Sequence, residues 1–244
     1  NGTSDTLECV SSLSQCSDGD FDVLVIDNNS IDEHYMKLKN GLRDIGLIPV
    51  EMDFPSIKRT AFKCNERICY KGTDSKYFLI RAEDNYGFAK ACNEGALFAA
   101  DLGYTYILLL NNDTIVTSGF HRTLRETLVS KESINAVIPQ IRLYSDKNII
   151  WNCGGSINKL GNRKYYFSYK NATEVDVGVK EFNVTFATGC CIIFETNYFI
   201  DIGMFTEDFF FGEEDIEFSL RMKKLKAVMV CNPNAIIYHK VGAS

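Results

Sequence analysis

The chain has 244 residues, of which 45% are hydrophobic and 24% charged, and its formal net charge is −6. That length can bury a full core as one large domain, and the balance excludes a disordered or fibrous chain. The acidic surplus speaks against nucleic acid as a partner, because phosphate backbones require a basic face.

Leu7, Val10 and Leu13 recur at helical spacing in DTLECVSSLSQC, so the chain is expected to open on a helix. FDVLVID, Phe21 to Asp27, reads as a strand ending in the polar turn Asp27-Asn28-Asn29-Ser30. Met36, Leu38, Leu42 and Ile45 then mark a helix, and Leu47 to Met52 a second strand, together one βαβ unit. Residues 55–75 break the rhythm and read as a surface insertion. Cys64 and Cys69 lie near zinc-site spacing there, but with no second pair or His to follow no metal is expected. KYFLIR, Lys76 to Arg81, is a strand leading into Asn85-Tyr86-Gly87-Phe88. Phe88, Ala91, Cys92, Gly95, Phe98, Ala99 and Leu102 then make an amphipathic helix.

Tyr106 to Leu110, YILLL, has no alternation and reads as a strand covered on both faces in the middle of a parallel sheet. It runs into Asn111-Asn112-Asp113-Thr114, at the carboxyl end of a strand where ligands of α/β proteins collect. Asp113 between amides suits Mg²⁺ or Mn²⁺, which are held by one or two carboxylates plus substrate phosphates; a strand-ending turn is the plainer alternative. A helix over 119–130 and a strand over 136–143 follow. The stretch 149–170, with Trp151, Gly154, Gly155 and several Tyr, reads as short irregular strands or a flexible, mobile loop. Ala187 to Phe194 is a buried strand, Glu213-Glu214-Asp215 opens a helix carrying Ile216, Leu220 and Leu225, and two short strands, 227–231 and 235–239, close the chain.

Nine cysteines, an odd number placed mostly inside apolar runs, fit buried thiols in a reducing compartment better than a disulfide framework. The expected location is therefore cytoplasmic, and the sequons at Asn1, Asn28, Asn112, Asn171 and Asn183 are chance matches. No apolar stretch is long enough to span a membrane as a helix, and no signal peptide precedes the first residue.

Four stretches stand in order: VIDNNS at 25–30, NYGFAKACNEG at 85–95, LLLNNDT at 108–114 and FFFGEEDIEFSLR at 209–221. With TGCC near 188 and a terminal YHKVGAS, they resemble the inverting glycosyltransferases of family two, in particular the rhamnosyltransferase-like and galactofuranosyltransferase-like branch. The resemblance covers nearly the whole chain. It implies an α/β GT-A fold, Rossmann-like, with a mostly parallel central sheet flanked by helices. It also implies a single domain, with a nucleotide-binding half at about 1–114 and an acceptor-binding half at about 115–244. The implied partners are a dTDP- or UDP-sugar donor, Mg²⁺ or Mn²⁺, and a saccharide or lipid-linked saccharide acceptor attacked by direct displacement, in cell-surface polysaccharide or glycolipid synthesis.

Position by position, Asp27 matches the acid that contacts the nucleobase, with Asn29 beside it, and Asn85 and Gly87 match the donor-side loop; an Asx turn and a helix-entry turn are the alternatives. Asn111 and Asp113 match the first and last positions of an aspartate-any-aspartate motif, with Asn112 between them. Asn111 departs from that pattern, leaving Asp113 as the main metal ligand. His239 matches a histidine that completes the metal site in some relatives, or else is structural. Anchored on Arg221, the match puts the catalytic base at Asp215, whose alternative role is to complement the helix dipole. Trp151, Thr188, Gly189 and Glu214 fall on the acceptor side. Relatives begin with a hydrophobic strand ending in an aromatic residue and an Asn matched by Asn1, and continue past the final Ser, so the sequence reads as lacking the first strand and the C-terminal extension. Peripheral association with the inner face of a membrane would reside in those missing segments. The rival readings are nucleotidyltransfer on a related fold and a non-catalytic carbohydrate-binding module, the second opposed by the intact Asp113 and Asp215.

Overall fold

The computed structural model describes residues 2–16, 20–52, 54, 62–175, 177–178, 180–210 and 212–242. In chain order these form α1 (Thr3–Cys16), β1 (Val23–Asp27), α2 (Asp32–Asp44), β2 (Ile48–Val50), β3 (Cys64–Lys71), β4 (Lys76–Ala82), α3 (Phe88–Asp101), β5 (Tyr106–Leu110), β6 (Thr114–Val116) and α4 (Phe120–Val129). There follow β7 (Ile134–Leu143), β8 (Ile150–Asn152), β9 (Gly155–Ile157), β10 (Arg163–Tyr165), β11 (Phe182–Val184), β12 (Cys191–Glu195), α5 (Thr196–Asp201), α6 (Glu214–Lys224) and β13 (Val228–His239). Asn1 and residues 55–61 of the expected insertion lie outside the described residues.

The first sheet has the order β1-β4-β3-β2, with β1 parallel to β4 and the other pairs antiparallel. The expected β1-α2-β2 unit is therefore not a βαβ pair, because β4 and β3 stand between its strands. β3 lies inside the stretch read as an insertion. Its charged residue Glu66 accepts from Tyr35 at 2.7 Å and pairs with Lys39 at 2.8 Å, both on α2. A strand that pays its charges against a helix shows no clean apolar alternation, which hid it in the sequence.

The second sheet has the order β11-β13-β7-β12-β5, with β6 on β13 and β8 on β7; of its ladders only β7–β13 is parallel. The architecture is α/β as expected, but the pairing is mixed rather than mostly parallel. β5 is an edge strand of this sheet, not its middle, and Tyr106 is exposed. The faces are nonetheless covered as its apolar run requires. α1, through Cys9, Val10 and Leu13, packs on the side of Val23, Val25, Leu108 and Leu110. On the other side, α3 lays Ala89 and Ala96 against Ile107 and Leu109, and Gly95 against Leu24 and Ile26. β1 and β5 thus lie under the same two helices, and no ladder joins them among the described residues.

Two further boundaries differ from expectation. β13 is one strand, because Asn232-Pro233-Asn234 forms a register shift and not a break: Asn232 Oδ1 accepts the Asn234 N–H at 2.9 Å and Nδ2 donates to Thr127 at 2.7 Å. β12 starts only at Cys191, since Thr188 Oγ1 takes up the Cys190 N–H in a turn at 3.0 Å. The stretch 149–170, read as short irregular strands or a mobile loop, forms the short strands β8, β9 and β10. Asn152 to Gly155 and Ile157 are buried and Tyr166 and Phe167 pack on the core, whereas the turn between β9 and β10, the strand β10 and Tyr169 are exposed. No helix among the described residues is long and apolar enough to cross a membrane.

Candidate active site

β1, β4, β5 and β13 all end on one rim of the molecule, where the antiparallel β12 begins opposite Leu110. Asp27 closes β1 and is buried. Its Oδ2 accepts the Ser30 N–H at 3.2 Å and lies 3.7 Å from Arg81 Nε, whose Nη2 also holds Asp32 and the Ser30 carbonyl. The turn is thus fixed in shape by Asp27 itself. The next residue, Asn28, ties that turn to the entry of α3: its Nδ2 donates to Asn85 Oδ1 at 2.9 Å and Gly87 O at 3.1 Å, and its Oδ1 accepts from Tyr86 N at 2.9 Å. Gly87 has φ +81°, and a Cβ there would stand 2.6 Å from the Phe210 carbonyl, so only glycine allows the segment before α6 to lie this close. Asn29 is exposed in left-handed backbone.

At the end of β5 the Asn111 N–H donates to Cys190 O at 2.8 Å, and Asp113 is 1% exposed. β6 brings Thr114 opposite His239 at the end of β13, which puts His239 Nε2 3.1 Å from Asp113 Oδ1. The Trp151 ring stands edge-on to the His239 ring at 4.6 Å. Three buried polar atoms here, Asn111 Oδ1, Asp113 Oδ2 and His239 Nδ1, have no hydrogen-bond partner. Leaving one such group unmet costs about 1–3 kcal/mol, and a bound ligand could meet all three. Their chemistry fits a hard divalent cation. No group of three or more His, Cys, Asp and Glu able to hold a metal exists among the described residues, so a cation bound here would need further oxygens, as diphosphates supply. Asn112 is directed elsewhere: it is exposed, and its amide donates to Thr6 of α1 at 2.9 Å.

On the opposite side of the rim, Gly189 packs against Phe88 at the start of α3, where a Cβ would come within 3.2 Å of the ring. Asp215 sits in the first turn of α6 behind Glu213, whose φ is +69°. Burial, and next the charge of Glu214, push the Asp215 carboxyl up from 3.8 to about 6, while Arg163 and the Ile216 N–H oppose the rise. The helix terminus alone would favour the charged form; burial outweighs it. Glu214 is buried with Oε2 unpartnered, turned toward α3, where its charge adds to burial in raising the Cys92 thiol to about 12. Arg221, the anchor of the sequence match, is structural, bonded to Glu217 and to the carbonyls of Ile202 and Met204.

No family model matches the sequence, and no curated protein matches it. Solved structures do match in shape. The crystal structure of GalNAc-T7 with UDP, GalNAc and Mn²⁺ aligns over 89% of this chain and 37% of its own, with a TM-score of 0.58 and 16% identity. The mannosyltransferase PcManGT from Pyrobaculum calidifontis, in complex with GDP-Man and Mn²⁺, aligns over 90% of this chain and 48% of its own, with a TM-score of 0.54 and 12% identity. The chain has the GT-A fold. It spans less than half the length of either of these neighbours.

Within this GT-A domain the rim gathers Asp27, Asn85, Gly87, Asn111, Asp113, Thr188, Gly189 and His239 through the contacts described, and leaves Asn112 outside. Four residues of the rim escaped the sequence analysis as functional candidates. Asn28 and Arg81 lie within motifs that were singled out, VIDNNS and KYFLIR, and polar residues at strand ends were the available signal. Tyr165 stands in the Gly- and aromatic-rich stretch 149–170, whereas Arg163 had no signal, since its place depends on a hairpin.

Proposed function

We propose that the chain moves a sugar from a nucleoside-diphosphate donor to an acceptor hydroxyl by single displacement with inversion. The observation that carries this reading is the cluster of unpartnered polar atoms on Asn111, Asp113 and His239 at the end of β5 and β13 of a GT-A fold. In the proposed step the acceptor oxygen bonds to the anomeric carbon while the bond from that carbon to the diphosphate breaks. The hydroxyl proton passes to Asp215, and the electron pair leaves with the diphosphate. Asp113 and His239, beside Asn111, would hold Mg²⁺ or Mn²⁺, which when bound offsets the charge of the diphosphate. Asp27, Asn29, Asn85 and Gly87 would receive the nucleoside, and Trp151, Thr188, Gly189 and Glu214 would border the acceptor.

We assign the whole chain to one domain, donor half about 1–114 and acceptor half about 115–244. The dTDP- or UDP-sugar donor, the rhamnosyltransferase-like or galactofuranosyltransferase-like branch, and a saccharide or lipid-linked acceptor at the inner face of a membrane rest on the sequence resemblance. Calorimetric titration of a nucleoside-diphosphate panel with and without Mn²⁺, followed by donor turnover in Asp215→Asn, tests the reading. Binding should require Mn²⁺ and survive in the variant while transfer falls on the order of 10²-fold or more. Retained transfer in Asp215→Asn, with loss in Glu214→Gln, would move the base by one residue.

A further inference from the structure

Charge is distributed unevenly along this acidic chain. Residues 147–173 and 218–244 hold ten of its 26 basic residues and none of its 32 acidic ones. The two acid-free stretches meet in the fold. Lys223, in the last turn of α6, donates to the carbonyl of Ile157 at the end of β9, and Ile157 pairs across the hairpin with Arg163. The turn joining β9 to β10 therefore lies beside the C-terminal end of α6. Lys159, Arg163 and Lys164 of the hairpin and Lys223, Lys224 and Lys226 of the helix end are all exposed. Of the acids on α6, Glu217 is taken up by Arg221 at 2.8 Å, and Glu214 and Asp215 stand at the far end of the helix.

The face is not only basic. Leu160, at 87%, is the most exposed large hydrophobic side chain among the described residues, and Leu225 is 54% exposed. A closed turn holds Leu160 out. Asn158 Oδ1 accepts the N–H groups of Leu160 at 2.9 Å and of Asn162 at 3.1 Å, and the Asn158 carbonyl accepts that of Gly161 at 3.1 Å. An aliphatic side chain presented to water in this way contributes almost no burial to the fold. The lysines in the last turn of α6 complement the negative end of its dipole, but that effect does not extend to the cations of the hairpin.

We propose that the β9–β10 turn and the C-terminal end of α6 form a docking face for an anionic lipid bilayer. Leu160 and Leu225 would enter the boundary between headgroups and acyl chains, with the flanking cations resting on lipid phosphates. Segments that lie on membranes combine these two contributions, attraction of basic residues to anionic lipid and burial of the apolar residues among them. A nucleic acid would meet the same charge, but single strands are held on aromatic platforms, whereas the outermost side chain here is aliphatic. The face does not rest on the reading of sugar transfer. Combined with that reading, it sets the bilayer beside the end of α6 opposite Asp215, about 12 Å along the helix axis, close enough for an acceptor carried on lipid.

Flotation of the chain with phosphatidylcholine vesicles, with and without about one third phosphatidylglycerol, tests the face. Binding should require the anionic lipid and be lost in about 1 M salt. Lys159→Gln/Lys224→Gln, which takes one cation from each element, should weaken it on the order of 10-fold or more. Leu160→Ser should weaken it by about 3- to 10-fold. Neither variant should move the unfolding midpoint, because the three side chains are exposed. Lys37→Gln/Lys71→Gln, which removes the same charge from exposed positions on α2 and β3, should bind like the unaltered chain. Equal binding to both vesicle types, no loss in Lys159→Gln/Lys224→Gln, or an equal loss in Lys37→Gln/Lys71→Gln would overturn the proposal. So would retention of single-stranded RNA as tight as that of anionic vesicles, with Leu160→Ser without effect, which would make this a nucleic-acid face. Donor turnover has no part in these outcomes, so failure of the sugar-transfer reading would leave them standing.

Discussion

Asp215→Asn should make the protein more stable at neutral pH. The folded chain raises this carboxyl from 3.8 to about 6, chiefly by burying it and by placing it next to Glu214. Each pH unit is worth 1.36 kcal/mol of difference between the protonation states, so the full displacement corresponds to about 3 kcal/mol. Partial exposure at the helix start reduces this to about 1–2 kcal/mol. The sign follows from proton affinity. The folded chain holds the Asp215 proton more tightly than the unfolded chain does, so there is no penalty below about pH 4, a growing one as pH rises toward 6, and the full one above it. Asparagine keeps the shape and never ionises. Its advantage should therefore be absent at low pH and reach about 1–2 kcal/mol at pH 7.5, or about 2–8 °C in Tm for a chain of this size. Urea unfolding of both proteins across pH 4.5 to 7.5 reads it directly. A difference that does not change with pH, or a variant less stable at pH 7.5, would refute the placement of Asp215 as a buried, acid-flanked carboxyl.

Asp113→Ala should abolish metal-dependent nucleoside-diphosphate binding in calorimetry while leaving the circular dichroism spectrum unchanged, and His239→Ala should give a smaller loss; unaltered metal-dependent binding in Asp113→Ala would remove the cation from this place. Gly87→Ala combines a left-handed backbone with a clash against Phe210 O and should cost about 1–3 kcal/mol together with diphosphate affinity. Gly46→Ala has φ +89° but open space around it, and should show the backbone cost of about 1 kcal/mol without the loss of binding. Asn28→Ala should loosen the turn after β1 from the entry of α3, lowering stability by about 1–2 kcal/mol and weakening nucleotide binding more than Asn29→Ala, which removes no comparable bonds.

The sequence by itself determined the elements whose pattern is local. The helices α1, α3, α4 and α6 follow from apolar periodicity and the strands β1, β4, β5 and β7 from short apolar runs, and their polar ends at Asp27, Asn85 and Asn111 to Asp113 mark where the strands deliver side chains. Chain neighbours also fixed the first turn of α6 as an acidic helix start. Tertiary structure decided what depends on residues far apart. β3 was hidden because Glu66 is neutralised by Lys39 of α2, and its rank in the sheet separates β1 from β2. β5 became an edge strand whose two faces are closed by α1 and α3, since an apolar run records how much of a strand is covered and not which neighbour covers it. Asp113 meets His239 across 126 positions only because β6 pairs with the end of β13. Asn112, indistinguishable from Asn111 by type, is drawn to Thr6 instead. The protonation of Asp215 is the clearest case. Its helix start is local and favours the charge, but burial and the hairpin carrying Arg163 come from packing, and desolvation in a folded interior outweighs a dipole at a single helix end.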